Sequence, residues 1–335
     1  MADSSSADPG RTSLLHRAGT AAAGAGSIGA GRPRLRAVVQ YGLLALVFAS
    51  LALFLVTQWT KLPEYHWHFR PGWLVLSFFC VLVFYSLQPE LWRVILHVLG
   101  ERGDAVQLRG AWGKSLVARY VPTSALMVVG RVVLAERAGI TKRVCLASIV
   151  YELGIGICAA VIGGAYFAIT LPSLQHTNAR YAILLVIPVA LVGLHPRVFK
   201  PLADWALAKL GREPLPRALP YRAILLLLPA YLFGWLLIGT GLFAFASSLH
   251  DVPVHKLPSI AAAYPVAFCV SVLAFIVPSG LGAREATLAT ALKGALHSLT
   301  LATAIAVAFR IFQTAVELTY VGTVTLLARR ARSLS

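Results

Sequence analysis

The chain alternates long apolar runs with short polar connectors, and two of the connectors break the pattern in the same way. A membrane-spanning helix needs about 20 consecutive apolar residues. Runs of this kind occupy Ala37–Thr57, Gly72–Leu99, Val144–Ile169, Tyr221–Leu249, Leu257–Val277 and Leu299–Leu327. Tyr181–His195 supplies a shorter run that contains Pro188. The first break is Tyr120–Arg131, YVPTSALMVVGR, and the second is Pro278–Glu285, PSGLGARE. Pro122 and Gly130 in the first, and Pro278, Gly280 and Gly282 in the second, read as helix breaks. Irregular backbone at membrane depth is tolerated where it is buried in protein or lines a wet cavity. Paired interruptions in the two halves of a membrane chain mark a binding or transport site.

The segment Leu108–Arg119 is basic and amphipathic, which suits a helix lying along the interface. Pro122 ends it, and Ala125–Ala135 is apolar again, as in a half-helix. Both units run in the order break, Arg, apolar turn, small connector, charged span, which is the order an internal repeat would give. The predicted fold is an all-α integral membrane protein, a polytopic helical bundle of about eight spans with two broken or re-entrant segments.

Polar composition divides the chain into a disordered basic tail at residues 1–36, a membrane domain at 37–328 and a basic C-terminal tail at 329–335. The first apolar run starts late and lacks a small-residue cleavage site, so it reads as a signal anchor. Lys and Arg set the orientation. They crowd the N-terminal tail, the connector with Arg102, Arg109, Lys114 and Arg119, and the loop Pro196–Arg222. The intervening loops are poor in charge. The expected localisation is the plasma membrane, multi-pass, with a cytoplasmic N-terminus. Arg329, Arg330 and Arg332 place the C-terminus inside as well, and Arg284–Leu296 is expected to add the crossing that this requires.

Composition agrees: 58% of residues are hydrophobic and 13% charged, against about 25% charged in soluble domains. The formal net charge of +17 does not point to nucleic acid, because the basic residues fall between the apolar runs, where anionic headgroups lie. The four cysteines show no CxxC spacing and read as small packing residues. No cofactor or metal is expected. His66 and His68 flank Trp67 as an interfacial anchor.

Ionisable side chains inside the apolar runs are the candidate chemistry: Glu90, Arg93, Arg131, Glu152, Arg284, Glu285, Arg310 and Glu317. Such groups are costly in a bilayer and functional by default. Glu90 and Arg93 are spaced to pair on one helix face. Arg310 and Glu317 share a face but lie too far apart to pair within the helix. Arg131, Arg284 and Arg310 are expected to bind a lipid headgroup, since the planar guanidinium forks phosphate and stays charged. Glu152, Glu285 and Glu317 are expected to balance them, and the broken segments are expected to converge on one cavity. The competing reading is that these charges cancel and pin helices together. Tyr151 beside Glu152 reads as a satisfied core Tyr rather than a proton relay. No DxD, GxSxG or nucleophile–base constellation appears, so catalysis is not expected, and no P-loop supplies ATP drive.

Pro122, Gly130-Arg131 and Gly139, followed by Ala147-Ser148-Ile149-Val150-Tyr151-Glu152, resemble the flippase-like membrane domain of lysylphosphatidylglycerol synthases and their stand-alone relatives. Pro278-Ser279-Gly280-Leu281-Gly282-Ala283-Arg284-Glu285 is similar to that family's P-x-G-x-G-x-x-E signature, and a span with an internal Arg, Arg310, follows as it does there. The resemblance covers Ala37–Leu327. Many members have Gly-Glu before the first Arg where this chain has Val129-Gly130. Two-domain members continue into a soluble aminoacyl-transferase domain; this chain ends at Ser335, so lysyl transfer is not expected. The resemblance implies a lipid-translocating or lipid-binding membrane domain. The expected function is therefore flipping or binding of an anionic phospholipid or lipid-linked sugar. The alternatives are an integral-membrane enzyme of polyprenyl-lipid or envelope synthesis and a structural subunit of an envelope complex. Expected partners are membrane lipids, anionic ones first, then envelope-synthesis proteins or a second copy of the chain.

Overall fold

The computed structural model describes residues 68–117, 125–170, 191–209, 213–215, 217–273 and 283–333, with single positions at 185, 188, 189 and 211. The N-terminal tail, the run at 37–57, most of the run at 181–195, and Pro122, Pro278, Gly280 and Gly282 lie outside the described residues. Within them the structure is helical and has no strand. The helices are α1 (Pro71–Val98), α2 (Ala105–Val117), α3 (Ala125–Glu136), α4 (Lys142–Thr170), α5 (Pro196–Lys209), α6 (Tyr221–Leu249), α7 (Leu257–Leu273), α8 (Ala283–Leu296) and α9 (Leu299–Ser333).

Local chemistry sets the helix ends. Pro71 opens α1, where a missing N–H costs nothing. Asp104 caps α2 by accepting the Gln107 N–H at 2.8 Å. Gly139 adopts φ +86° just past α3. There the Gly139 N–H reaches the Glu136 carbonyl and the Ile140 N–H reaches Ala135, at 3.0 and 3.1 Å. This turn folds α3 back onto α4.

α1, α6, α9 and the Lys142–Ala165 part of α4 are long and apolar enough to cross a membrane. α1 and α6 run antiparallel. The backbone N–H groups of His68 and Arg70 bond the carbonyls of Leu249 and Ser248 at 3.1 and 2.9 Å, and the Ser77 hydroxyl bonds the Gly241 carbonyl at 2.7 Å. α4 joins them through the Trp235 indole, which donates to the Gly156 carbonyl at 2.9 Å. α9 packs on α1, α2 and α8. Large apolar side chains such as Phe79, Leu226 and Leu326 face outward, while Ser77, Arg131, Ser148, Glu285, Arg310, Gln313 and Glu317 are buried. Apolar outside and polar within is the arrangement of a bundle in lipid, where small residues and polar contacts hold the helices together.

Three expectations change. Gly130 is not a break: it lies inside α3, whose backbone continues through it. The segment Arg284–Leu296, expected as a crossing, lies in a helix of 14 residues, about 21 Å, against a hydrocarbon core of about 30 Å. Residues 329–333, read as a tail, belong to α9. Arg is a good helix former, and a basic last turn suits the negative end of the helix dipole.

α6 and α7 touch backbone to backbone. A Cβ on Gly239 would lie 2.8 Å from the Cα of Ala261 and 2.9 Å from its carbonyl carbon, too close for either main chain to yield. Gly239→Ala is therefore expected to destabilise the bundle by about 1–3 kcal/mol. Thermal unfolding in detergent should show a clear fall in Tm. Gly294→Ala, which would meet no atom within 4 Å, should leave Tm unchanged or slightly higher.

Candidate functional site

The buried charges form two separate groups. α1, α2, α3 and α4 enclose the first. Arg131 projects from α3, is 3% exposed, and forms an ion pair with Glu152 of α4. Its Nε donates to the Ser115 hydroxyl at 3.1 Å. Its guanidinium carbon lies 5.5 Å from the Trp92 ring centroid and 5.4 Å from that of Trp112. The two indoles are themselves fixed: Trp112 donates to Glu152 at 3.0 Å and Trp92 to Ser148 at 2.8 Å. Arg131 is thus held on every side by protein. The Tyr151 hydroxyl next door accepts the Leu219 N–H at 3.2 Å, which makes it a satisfied core Tyr.

The second group lies where α7, α8 and α9 meet. α8 brings Arg284 and Glu285 and α9 brings Arg310, Gln313 and Glu317. Arg284 stacks on the Tyr264 ring at 4.5 Å, bonds its hydroxyl, and reaches the Gln313 carbonyl oxygen at 3.1 Å. Tyr264 donates to the same oxygen at 2.8 Å. The Gln313 amide donates to the Tyr85 hydroxyl at 2.7 Å, and Tyr85 donates to Glu317 at 2.7 Å. Tyr85 is at the midpoint of α1, so this chain of contacts fixes the first turn of α8 at the middle of the bundle's depth.

Arg310 differs from Arg131. It is 8% exposed, and its Nε is 3.8 Å from Glu285 Oε1, beyond hydrogen-bond range. A guanidinium carries five donors, and among the described residues none of those of Arg310 is hydrogen-bonded. Its head borders a cavity of about 10 Å³, room for roughly one water, whose lining includes Tyr264, Arg284, Glu285 and Gln313.

The structure therefore brings Arg284, Glu285 and Arg310 together, with Glu317 linked through Tyr85 and Gln313. Arg131 and Glu152 do not line that cavity among the described residues. They are consumed by their own pairing, and the aromatic contacts of Tyr85 and Trp112 with Tyr320, at 6.2 and 6.3 Å, fill the space between the groups. Glu90 pairs with Arg93 as its spacing predicts, and also with Arg109 of α2. Sequence reading missed Tyr85, Tyr264 and Gln313. Gln313 had a signal, since it shares one face of α9 with Arg310 and Glu317 at helical spacing. Among the described residues no cluster of His, Cys, Asp and Glu is suited to hold a metal ion.

A model of the lysylphosphatidylglycerol synthase TM region matches residues 42–320, and the chain belongs to that family. No curated protein and no solved structure matches it. The family carries a membrane, lipid-related function.

Breaking a buried ion pair by removing one partner costs about 3–5 kcal/mol, whereas replacing both with apolar residues costs far less. Arg131→Met and Glu152→Leu are each expected to lower Tm sharply in detergent. The double variant should recover much of the loss. An additive double variant would show that the pair does not hold α3 to α4.

Proposed function

We propose that this member of the family binds the anionic headgroup of a membrane lipid at the α7–α8–α9 junction and carries it across the bilayer. The observation behind this reading is Arg310, a nearly buried guanidinium at mid-depth that makes no hydrogen bond to a described residue, pairs with Glu285 only at 3.8 Å, and has a cavity beside it. An Arg at the bilayer centre costs about 2.5–3.5 kcal/mol on insertion scales. A purely structural Arg would recover that cost through close contacts, as Arg131 does. Arg310 instead keeps its fork available for a phosphate, which accepts two parallel N–H bonds. Arg284, adjacent on the first turn of α8, adds a second cation, and the N-terminal amides of α8 add a dipole of the same sign.

A cavity of about 10 Å³ is too small for a headgroup, so the site reads as closed. Admission requires α8 to separate from α9. Glu285 then serves as the resident counter-charge: it holds Arg310 loosely when the site is empty and yields to phosphate when the site fills. No group in this arrangement needs to make or break a covalent bond, and the reading is of a carrier rather than an enzyme. The proposed orientation has the N-terminus, the α1–α2 connector and α5 on the cytoplasmic side of the plasma membrane, and the basic loops support it.

Arg310→Gln in proteoliposomes should slow translocation of a fluorescent anionic phospholipid at least about tenfold, the equivalent of one charge-assisted hydrogen bond. Its Tm should stay within a few degrees of the parent. Unchanged transport together with a large fall in Tm would return Arg310 to a structural role. A covalently altered lipid in the mass spectrum of the parent reaction would overturn the carrier reading.

Orientation has its own test. In a background with the native cysteines replaced, Val254→Cys should label in intact cells with an impermeant maleimide and Arg217→Cys should not. Both residues are exposed. The reverse pattern would invert the topology.

A further inference from the structure

A second cavity lies away from the charged centre of the bundle. It lies at the turn between α1 and α2, has a volume of about 430 Å³, and is lined by residues that include Glu90, Arg93, His97, Glu101 and Arg102. That volume falls in the range of small-molecule sites, about 300–1,000 Å³. Leu96 and Leu108, both buried, form its apolar floor, and the exposed Val94 forms part of its rim.

The lining holds two carboxylates and two guanidiniums, and a third guanidinium, Arg109, stands just outside it. Both Glu90 oxygens are occupied, Oε2 by Arg93 and Oε1 by Arg109 from outside the lining, so one carboxylate serves two guanidiniums. Glu101 is engaged with Thr141, accepting its hydroxyl at 2.6 Å and its N–H at 3.3 Å. The side chains of His97 and Arg102 make no hydrogen bond or ion pair to any described residue, and both are exposed to the cavity mouth. The pocket thus offers two uncommitted cationic or donor groups, a half-neutralised Arg pair and an apolar wall.

Its depth suits an amphiphile. α1 is 28 residues long, about 42 Å, and exceeds a hydrocarbon core of about 30 Å, so its last turns reach headgroup level. We infer that this pocket is a second anion site, which takes a phosphate group on Arg102, His97 and the outer face of Arg93. The phosphate could arrive as the headgroup of an anionic lipid or as a soluble phosphate. The site is independent of the α8 cavity and does not rest on the carrier reading.

The test uses the full chain carrying Arg310→Gln, in phosphatidylcholine nanodiscs, so that the α8 site does not contribute. Dihexanoyl phosphatidic acid and inorganic phosphate are titrated separately by calorimetry. Arg102→Gln combined with His97→Gln should weaken phosphatidic acid binding about tenfold, and both positions are exposed enough to leave the fold alone. If inorganic phosphate binds and loses the same factor, the pocket takes phosphate from solution. If only the lipid binds and is lost, the pocket takes a headgroup. Equal affinity with and without the two substitutions, or no binding of either probe to the parent, overturns the site and leaves the α8 reading untouched.

Discussion

The bundle depends on how a charge is satisfied once it has left water. Lipid offers no hydrogen bonds, so an ionised side chain between these helices needs protein partners, a ligand or a wet cavity. Arg131 takes the first course. It gathers a carboxylate, a hydroxyl and two indole faces from three other helices, and each of those groups is oriented by a further bond. Four helices, α1 to α4, are therefore registered around one guanidinium. The lock explains why two short helices, α2 and α3, can be held against long ones although neither is long enough to span.

The same residue type behaves differently elsewhere in the fold. Arg284 meets a relay of neutral polar groups, Tyr264, Gln313 and Tyr85, that ends on Glu317, while Arg310 faces Glu285 at 3.8 Å. Neutral partners polarise but do not cancel a charge. The half-length of α8 matters here, because a full span would carry its N-terminus to the headgroups and away from Tyr85. The small-residue contact of α6 with α7 at Gly239 contributes from the other side, drawing α7 in so that Tyr264 reaches α9.

The long helices were legible because hydropathy alone determines them. Gly72–Leu99, Val144–Ile169 and Tyr221–Leu249 match α1, α4 and α6 to within a residue or two at each end. The short elements were legible only as disturbances. A Gly such as Gly130 lowers helix propensity without ending a helix that tertiary packing supports, so it looked like a break and is not one. The local pair Glu90–Arg93 followed from spacing, but its extension to Arg109 joins two helices and has no local signature.

The sequence by itself determined that the chain is an α-helical membrane protein, where α1, α4 and α6 run, and which ionisable residues would be forced to find partners. Those properties are sums over neighbouring residues, and the cost of polar groups in lipid leaves few alternatives. Only the tertiary structure decided which partner each charge found. It gave Glu152 to Arg131, set Glu285 beyond hydrogen-bond range of Arg310, and recruited Gln313 together with Tyr85 and Tyr264, two residues that look ordinary in sequence. Pairing between helices depends on their rotation and depth, which side chains far apart in the chain fix jointly, and no local pattern encodes it.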